Sequence, residues 1–201
     1  MNLVGLYLLV GGYLLGSIPV GYLIGRSYGI DIRTKGSGNI GAANILRVIG
    51  KGPAAATLLL DAVKGFLPTI LARQTYLLPP GWIIAIGLAA IIGHTFSIFL
   101  KFKGGKGVAT SLGVLIGLSP LTALFILLVW LAVFAASRIV SFASLAAALS
   151  LPPLLWYLAN PHRQPAFLAF GVLIAVLVFL AHRKNIKRLL SGQEPKVKWK
   201  K

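Results

Sequence analysis

Seven apolar stretches, most of them bounded by basic residues, dictate what this chain can become. They fall at about 3–25, 53–72, 81–100, 106–118, 121–136, 139–158 and 166–182. A helix of ~20 apolar residues crosses the ~30 Å hydrocarbon core of a bilayer. Inside that core a helix satisfies all of its own backbone groups. The expectation is therefore an all-α, polytopic integral membrane bundle of seven transmembrane helices, forming one membrane domain over residues 1–201.

The fourth and fifth stretches are short, and Ser119-Pro120 separates them. Proline lacks the backbone donor and disfavours helical geometry at the residue before it, so the two read as separate spans. Charge placement favours the same count. With seven spans and the N-terminus outside, 17 of the 20 lysines and arginines fall on the inner side, including the basic tail 183–201. Arg73 and Arg163 fall outside, and Lys64 lies within a span. With six spans the basic tail would oppose the basic loops before it, against the positive-inside bias. The C-terminus is thus expected to be cytoplasmic. The net charge of +17 reads as topology rather than as a nucleic-acid footprint. The opening MNLVGLYLLVGGYLL lacks a basic n-region and a small-residue cleavage site, and reads as a retained helix.

Scarcity narrows the chemistry further. The chain has no cysteine, which removes disulfides, thiolate nucleophiles and thiolate-bound metals. Its only acids are Asp31, Asp61 and Glu194, too few for a carboxylate metal cage or for paired-carboxylate catalysis. No metal site and no cofactor are expected.

The polar residues that remain cluster in three inner-side segments. The first lies in the loop 26–52: Thr34-Lys35-Gly36-Ser37-Gly38-Asn39-Ile40-Gly41, followed by Asn44 and Arg47. Glycines let backbone N–H groups turn toward an anion, while Ser37, Asn39, Asn44 and Arg47 add donors and charge. Ile40, Ala43, Ile45, Leu46 and Ile49 would form the apolar face of a short helix resting on the bilayer surface.

The second segment is Gly104-Gly105-Lys106-Gly107, at the start of the fourth span. A helix N-terminus offers unpaired N–H groups and partial positive charge, which suits phosphate. The match to a nucleotide P-loop fails, because Gly107 follows Lys106 where a magnesium-binding Ser or Thr belongs. No nucleotide is expected. Lys101 and Lys103 also fit plain headgroup anchors.

The third segment closes the seventh span: His182-Arg183-Lys184-Asn185-Ile186-Lys187-Arg188. His182 and Asn185 share a helix face. Ser141 and Ser144, also three apart beside Arg138, are weaker candidates, since small residues in membrane helices commonly serve packing. Asp61 and Lys64 form an i,i+3 pair deep in the second span, either a structural ion pair or a wall of the polar site. His94 reads as a hydrogen-bonded core histidine, His162 as an exposed outer residue, and Glu194 as a partner for the basic tail. Ser17-Ile18-Pro19 should kink the first span.

GSIP, GSGNIGAANILR, GHTFSIFLKFKGGKGVATSLG and AHRKNIKRLLSGQE together resemble the bacterial acyl-phosphate:glycerol-3-phosphate acyltransferases, the PlsY family. The resemblance covers nearly the whole chain. It implies a multi-pass enzyme of the bacterial inner membrane with its active site on the cytoplasmic side. Such an enzyme moves a fatty acyl group from acyl phosphate to the 1-hydroxyl of glycerol 3-phosphate. The products are lysophosphatidic acid and phosphate, the first step of phospholipid synthesis. The H-x-x-x-x-D motif of the other large glycerolipid acyltransferase group is absent: Phe99, Phe167 and Lys187 stand five positions after the three histidines.

The implied partners are the two substrates and membrane lipid, with no nucleic acid. On this reading Ser37, Gly38, Asn39, Gly41 and Arg47 hold the acyl-phosphate head, and Lys106 with Gly104, Gly105 and Gly107 binds phosphate and stabilises developing charge. His182 and Asn185 orient glycerol 3-phosphate, with Asn44 and Ser141 as further phosphate donors. The proton acceptor is His182 or a substrate phosphate. A carrier or channel for a phosphorylated anion would use similar basic loops, but the chain shows no internal inverted repeat to build one.

Overall fold

The computed structural model describes residues 2–75, 78–158 and 165–197, so His162, Arg163, Lys198, Lys200 and Lys201 lie outside the described residues. The chain divides into two compact units, Met1–Leu118 and Ser119–Lys201. The boundary is the Ser119-Pro120 break.

The first unit holds α1 (Leu3–Ser17), α2 (Val20–Ser27), α3 (Ala42–Val48), α4 (Lys51–Gln74), α5 (Pro80–Thr95) and α6 (Val108–Leu118), with 3-10 turns at Ile32–Thr34 and Ile98–Leu100. Pro19 splits the first apolar stretch into α1 and α2, which together make one membrane-length span, Leu3–Ser27. Two seams of close backbone approach hold the long helices. A Cβ on Gly16 would overlap the Ala90 carbonyl oxygen, and one on Gly93 would overlap that of Tyr13, so α1 lies directly against α5. Gly65 against the Thr110 carbonyl and Gly113 against the Ala62 carbonyl do the same for α4 and α6. In a bilayer, where lipid tails are as apolar as side chains, such small-residue contacts supply the packing.

The second unit holds α7 (Pro120–Ser137), α8 (Val140–Leu158), α9 (Pro165–Ala181) and α10 (Arg183–Leu190). Ser119 caps α7, its Oγ accepting from the Thr122 N–H, and Pro120 occupies the first turn, where a missing donor costs nothing. Trp130 on α7 donates to Ser144 Oγ on α8 at 3.2 Å, which gives Ser144 a packing role. The chain bends by 66° between α9 and α10.

Among the described residues, five helical segments, counting α1–α2 as one, are long and apolar enough to cross a membrane, or six if the bent pair α9–α10 counts as one span. The remaining apolar helix, α6, has 11 residues, about 17 Å at 1.5 Å per residue.

Candidate anion-binding loops

In the first unit, residues 28–50 form a loop pinned at several points. Asp31 accepts from the Arg33 side chain twice, at 2.9 and 2.7 Å, and Arg33 lies 4.5 Å over the Tyr22 ring of α2. The Arg33 hydrogen bonds hold the Asp31 carboxyl at about 2, well below its ordinary value of 3.8. Gly21 of α2 sits so close to the loop that a Cβ there would overlap the Ile40 carbonyl oxygen. The short helix α3 does form. Its apolar face is spent on protein rather than on lipid: Ile40 and Ile45 are buried with Ile32, Ala54 and Leu100, and Leu46 and Ile49 pack against them.

Asn44 is the organiser of this loop. Its side chain is 1% exposed, its Oδ1 accepts from the Ser37 N–H at 2.8 Å, and its Nδ2 donates to the carbonyls of Ile32, Lys35 and Asn39. Both of its side-chain N–H groups thus point into the loop, onto backbone carbonyls. The backbone donors change role for the same reason. Gly38 N–H donates to Lys35 O, and Gly41 N–H to Asn39 Oδ1. Gly36 and Gly38 adopt φ of +58 and +71°, a conformation glycine takes without strain. Donor side chains at the surface of this scaffold include the exposed Lys35 ammonium, Ser37 hydroxyl and Arg47 guanidinium, with the Asn39 amide half-buried beside them. Asn39 Oδ1 is held by Gly41, so its NH2 is the end left to bind an anion.

The glycine-lysine segment shows a comparable division of labour. Gly104 N–H donates to Thr95 O and Gly105 N–H to His94 O, both at 3.0 Å. These two glycines therefore cap the C-terminal carbonyls of α5. Their missing Cβ atoms permit it: one on Gly104 would overlap the His94 carbonyl oxygen, and one on Gly105 the His94 ring. Gly107 has φ +78°, and Ser111 N–H donates to Gly107 O at 2.7 Å as the first helical bond of α6. The N–H groups of Val108, Ala109 and Thr110 thus have no partner one turn earlier in the helix. Lys106 stands directly before them. Just upstream, Lys101 and Phe102 both take the left-handed conformation, with φ of 51 and 61°. That reversal carries the chain from the α5 end to the loop. Leu100 is buried in the Ile40–Ile45 cluster, so the loop 28–50 and the approach to Lys106 share one apolar foundation.

In the second unit His182 is buried, and its Nδ1–H donates to Val178 O at 2.8 Å. That bond places a proton on Nδ1 and orients the ring. Asn185 and Ser141 both meet a carboxylate. Glu194 Oε1 accepts from Ser141 Oγ at 2.7 Å and from Asn185 Nδ2 at 2.6 Å, while Oε2 accepts from Arg188 Nε at 2.6 Å. Glu194 is 7% exposed, so it does more than pair within the tail. Burial pushes its pKa up, but the bonds from Arg188, Asn185 and Ser141 outweigh that and hold it below the ordinary 4.5. Val197 N–H donates to Arg138 O at 2.8 Å, tying down the same tail.

This is a polytopic helical membrane protein whose glycine-rich, basic loops are chemically suited to anions. The chain belongs to the glycerol-3-phosphate acyltransferase family, whose model matches residues 6–192. It is 50% identical to the glycerol-3-phosphate acyltransferase of Synechococcus sp. strain JA-3-3Ab, covering 94% of this chain and 93% of that one. It is 47% identical to that of Geotalea daltonii, covering 93% and 94%. Two crystal structures of PlsY, an integral membrane glycerol 3-phosphate acyltransferase, share the fold. The glycerol 3-phosphate form superposes with a TM-score of 0.90 at 40% identity, over 97% of this chain and 96% of that one. The lysophosphatidic acid form gives 0.87 at 39% identity, over the same shares.

Proposed function

We propose that this chain transfers a fatty acyl group from acyl phosphate to the 1-hydroxyl of glycerol 3-phosphate, releasing lysophosphatidic acid and inorganic phosphate. The carrying observation is the pair of donor sets built on one apolar cluster. One set is Ser37, Asn39 and Arg47; the other is Lys106 with the N–H groups that open α6. Both substrates carry phosphate, and two separate donor sets serve two phosphates. The family relationship supports the same chemistry.

Ser37, Asn39 and Arg47 hold the acyl-phosphate head, and Lys106 neutralises negative charge that grows as the glycerol hydroxyl attacks the acyl carbonyl. Gly38, Gly41, Gly104, Gly105, Gly107 and Asn44 shape the two loops. His182 orients glycerol 3-phosphate, and Asn185 and Ser141 act through the Glu194 carboxylate. The enzyme crosses the bacterial inner membrane seven times, counting α6, with the N-terminus outside and both loops on the cytoplasmic side, as the positive-inside bias supports.

The test mixes purified protein with acyl phosphate and glycerol 3-phosphate and measures lysophosphatidic acid and phosphate, with an acyl thioester as the donor control. Turnover with acyl phosphate alone, insensitive to EDTA, is expected. Turnover with the thioester alone would overturn the donor. Lys106→Ala should abolish turnover in a folded protein. His182→Gln separates the proton routes: retention within a few-fold assigns the proton to a substrate phosphate.

A further inference from the structure

Asp61, Lys64 and His94 form a buried ionic group that none of the roles above uses. Their exposures are 3, 4 and 4%. Lys64 Nζ lies 2.8 Å from Asp61 Oδ1 and donates to the Ile18 carbonyl at 2.8 Å, at the break Pro19 makes between α1 and α2. His94 Nδ1 lies 3.5 Å from the same Asp61 oxygen. The opposite edge of the His94 ring faces the glycine-lysine segment. A Cβ on Gly105 would overlap Nε2 and would stand 2.8 Å from Cε1 and 3.1 Å from Cδ2. The imidazole thus fills the gap between a carboxylate on one side and the Gly105 backbone on the other. Charges at such depth are usually paired and tied to function.

We propose that Asp61 and His94 are positioning residues for the anion-binding segment. Asp61 orients the imidazole, and the ring edge sets the height of Gly105. Gly105 in turn sets where Lys106 and the N–H groups of residues 108–110 present themselves. Lys64 neutralises the carboxylate and ties the same group to the α1–α2 break. The inference rests on the reading of Lys106 as a phosphate ligand and adds what holds that ligand in place. A geometric device of this kind matters because small displacements of a binding group are costly.

The test is a reciprocal pair of substitutions. His94→Asn keeps a nitrogen near the Nδ1 position, facing Asp61, but removes the ring edge at Gly105. It should fold and insert normally, with the KM for one of the two phosphorylated substrates raised about tenfold or more and the other changed little. Gly105→Ala in the otherwise unaltered protein should be nearly inactive. In the His94→Asn background the added methyl occupies the space the ring has left, so the double variant should be more active than Gly105→Ala alone.

A merely structural role for His94 predicts a lowered melting temperature, no substrate-selective KM change and additive losses. That result would overturn the proposal. If His94→Asn does not accumulate, Asp61→Asn combined with Lys64→Met removes both charges together. Selective loss of affinity in that folded variant supports the proposal, and unchanged KM values for both substrates refute it. Lys106→Ala, measured in parallel, separates the two layers. Normal turnover there would sink the phosphate reading itself. Lost turnover beside an unaffected His94→Asn would sink only the positioning role.

Discussion

Asn44→Asp is nearly isosteric, yet it reverses the hydrogen-bonding sense of the group that shapes the first loop. The native amide donates to Asn39 O at 2.8 Å, Lys35 O at 3.1 Å and Ile32 O at 3.2 Å. A carboxylate would face all three carbonyls with an acceptor. Two N–H groups are lost, worth about 0.5–1.5 kcal/mol net each, and leaving a buried carbonyl unsatisfied adds about 1–3 kcal/mol. The loop should therefore lose about 2–6 kcal/mol of local stability. The membrane-length helices do not depend on these bonds, so the protein should still insert and keep its helical signal. With Ser37 and Asn39 displaced, kcat/KM should fall about 100-fold or more, where each tenfold corresponds to about 1.4 kcal/mol. The assay is product formation by detergent-purified protein, beside far-UV circular dichroism and a melting curve. Activity within threefold of the unaltered protein would refute the claim that the Asn44 donors build this loop.

Glu194→Gln replaces an acceptor of the Arg188 bond by a donor, and should lower the melting temperature by about 4–8 °C for ~2 kcal/mol lost. Because folding lowers the Glu194 pKa, its contribution is complete above the ordinary 4.5 and is lost as pH falls through the folded value. Tail protection against proteolysis should decline with acid over that window in the native protein and be flat in Glu194→Gln. Gly21→Ala drives a methyl into the Ile40 carbonyl and should cost at least about tenfold in activity. Gly11→Ala, where nothing lies within 4 Å, should be silent. Asp31 should remain ionised until pH approaches about 2, seen as a carboxyl chemical shift that stays constant above the ordinary 3.8.

The span boundaries were legible because hydropathy and proline punctuation are one-dimensional signals. The apolar stretch expected at 81–100 contains α5, which ends at Thr95, and a 3-10 turn at Ile98–Leu100, and the first stretch is broken into α1 and α2 at Pro19. The residues of the two first-unit loops were legible too, since Ser, Asn, Arg and Lys are conspicuous in a chain so apolar. The direction of their donors was not. Gly104, Gly105, Gly38 and Gly41 have N–H groups well placed by composition, but nearby carbonyls and an Asn side chain take them up. Residue type reports the capacity to donate, and only the turn geometry reports to whom. The contact of Ser141 and Asn185 with Glu194 was not legible, because that carboxylate lies 53 and 9 residues away. A signal was available: with only three acids in a membrane protein, each buried carboxylate must collect donors, and the nearest polar side chains are the ones it collects.

The glycine seams also determine where lipid cannot go. Along α1–α5 and α4–α6 the backbones are so close that a single methyl would collide with a carbonyl. A methylene chain is wider than that methyl. On the proposed function, the acyl tail of the donor would run along the outside of these paired helices or through another opening. The same contacts that hold the first unit together act as a fence against any chain lying between these paired helices.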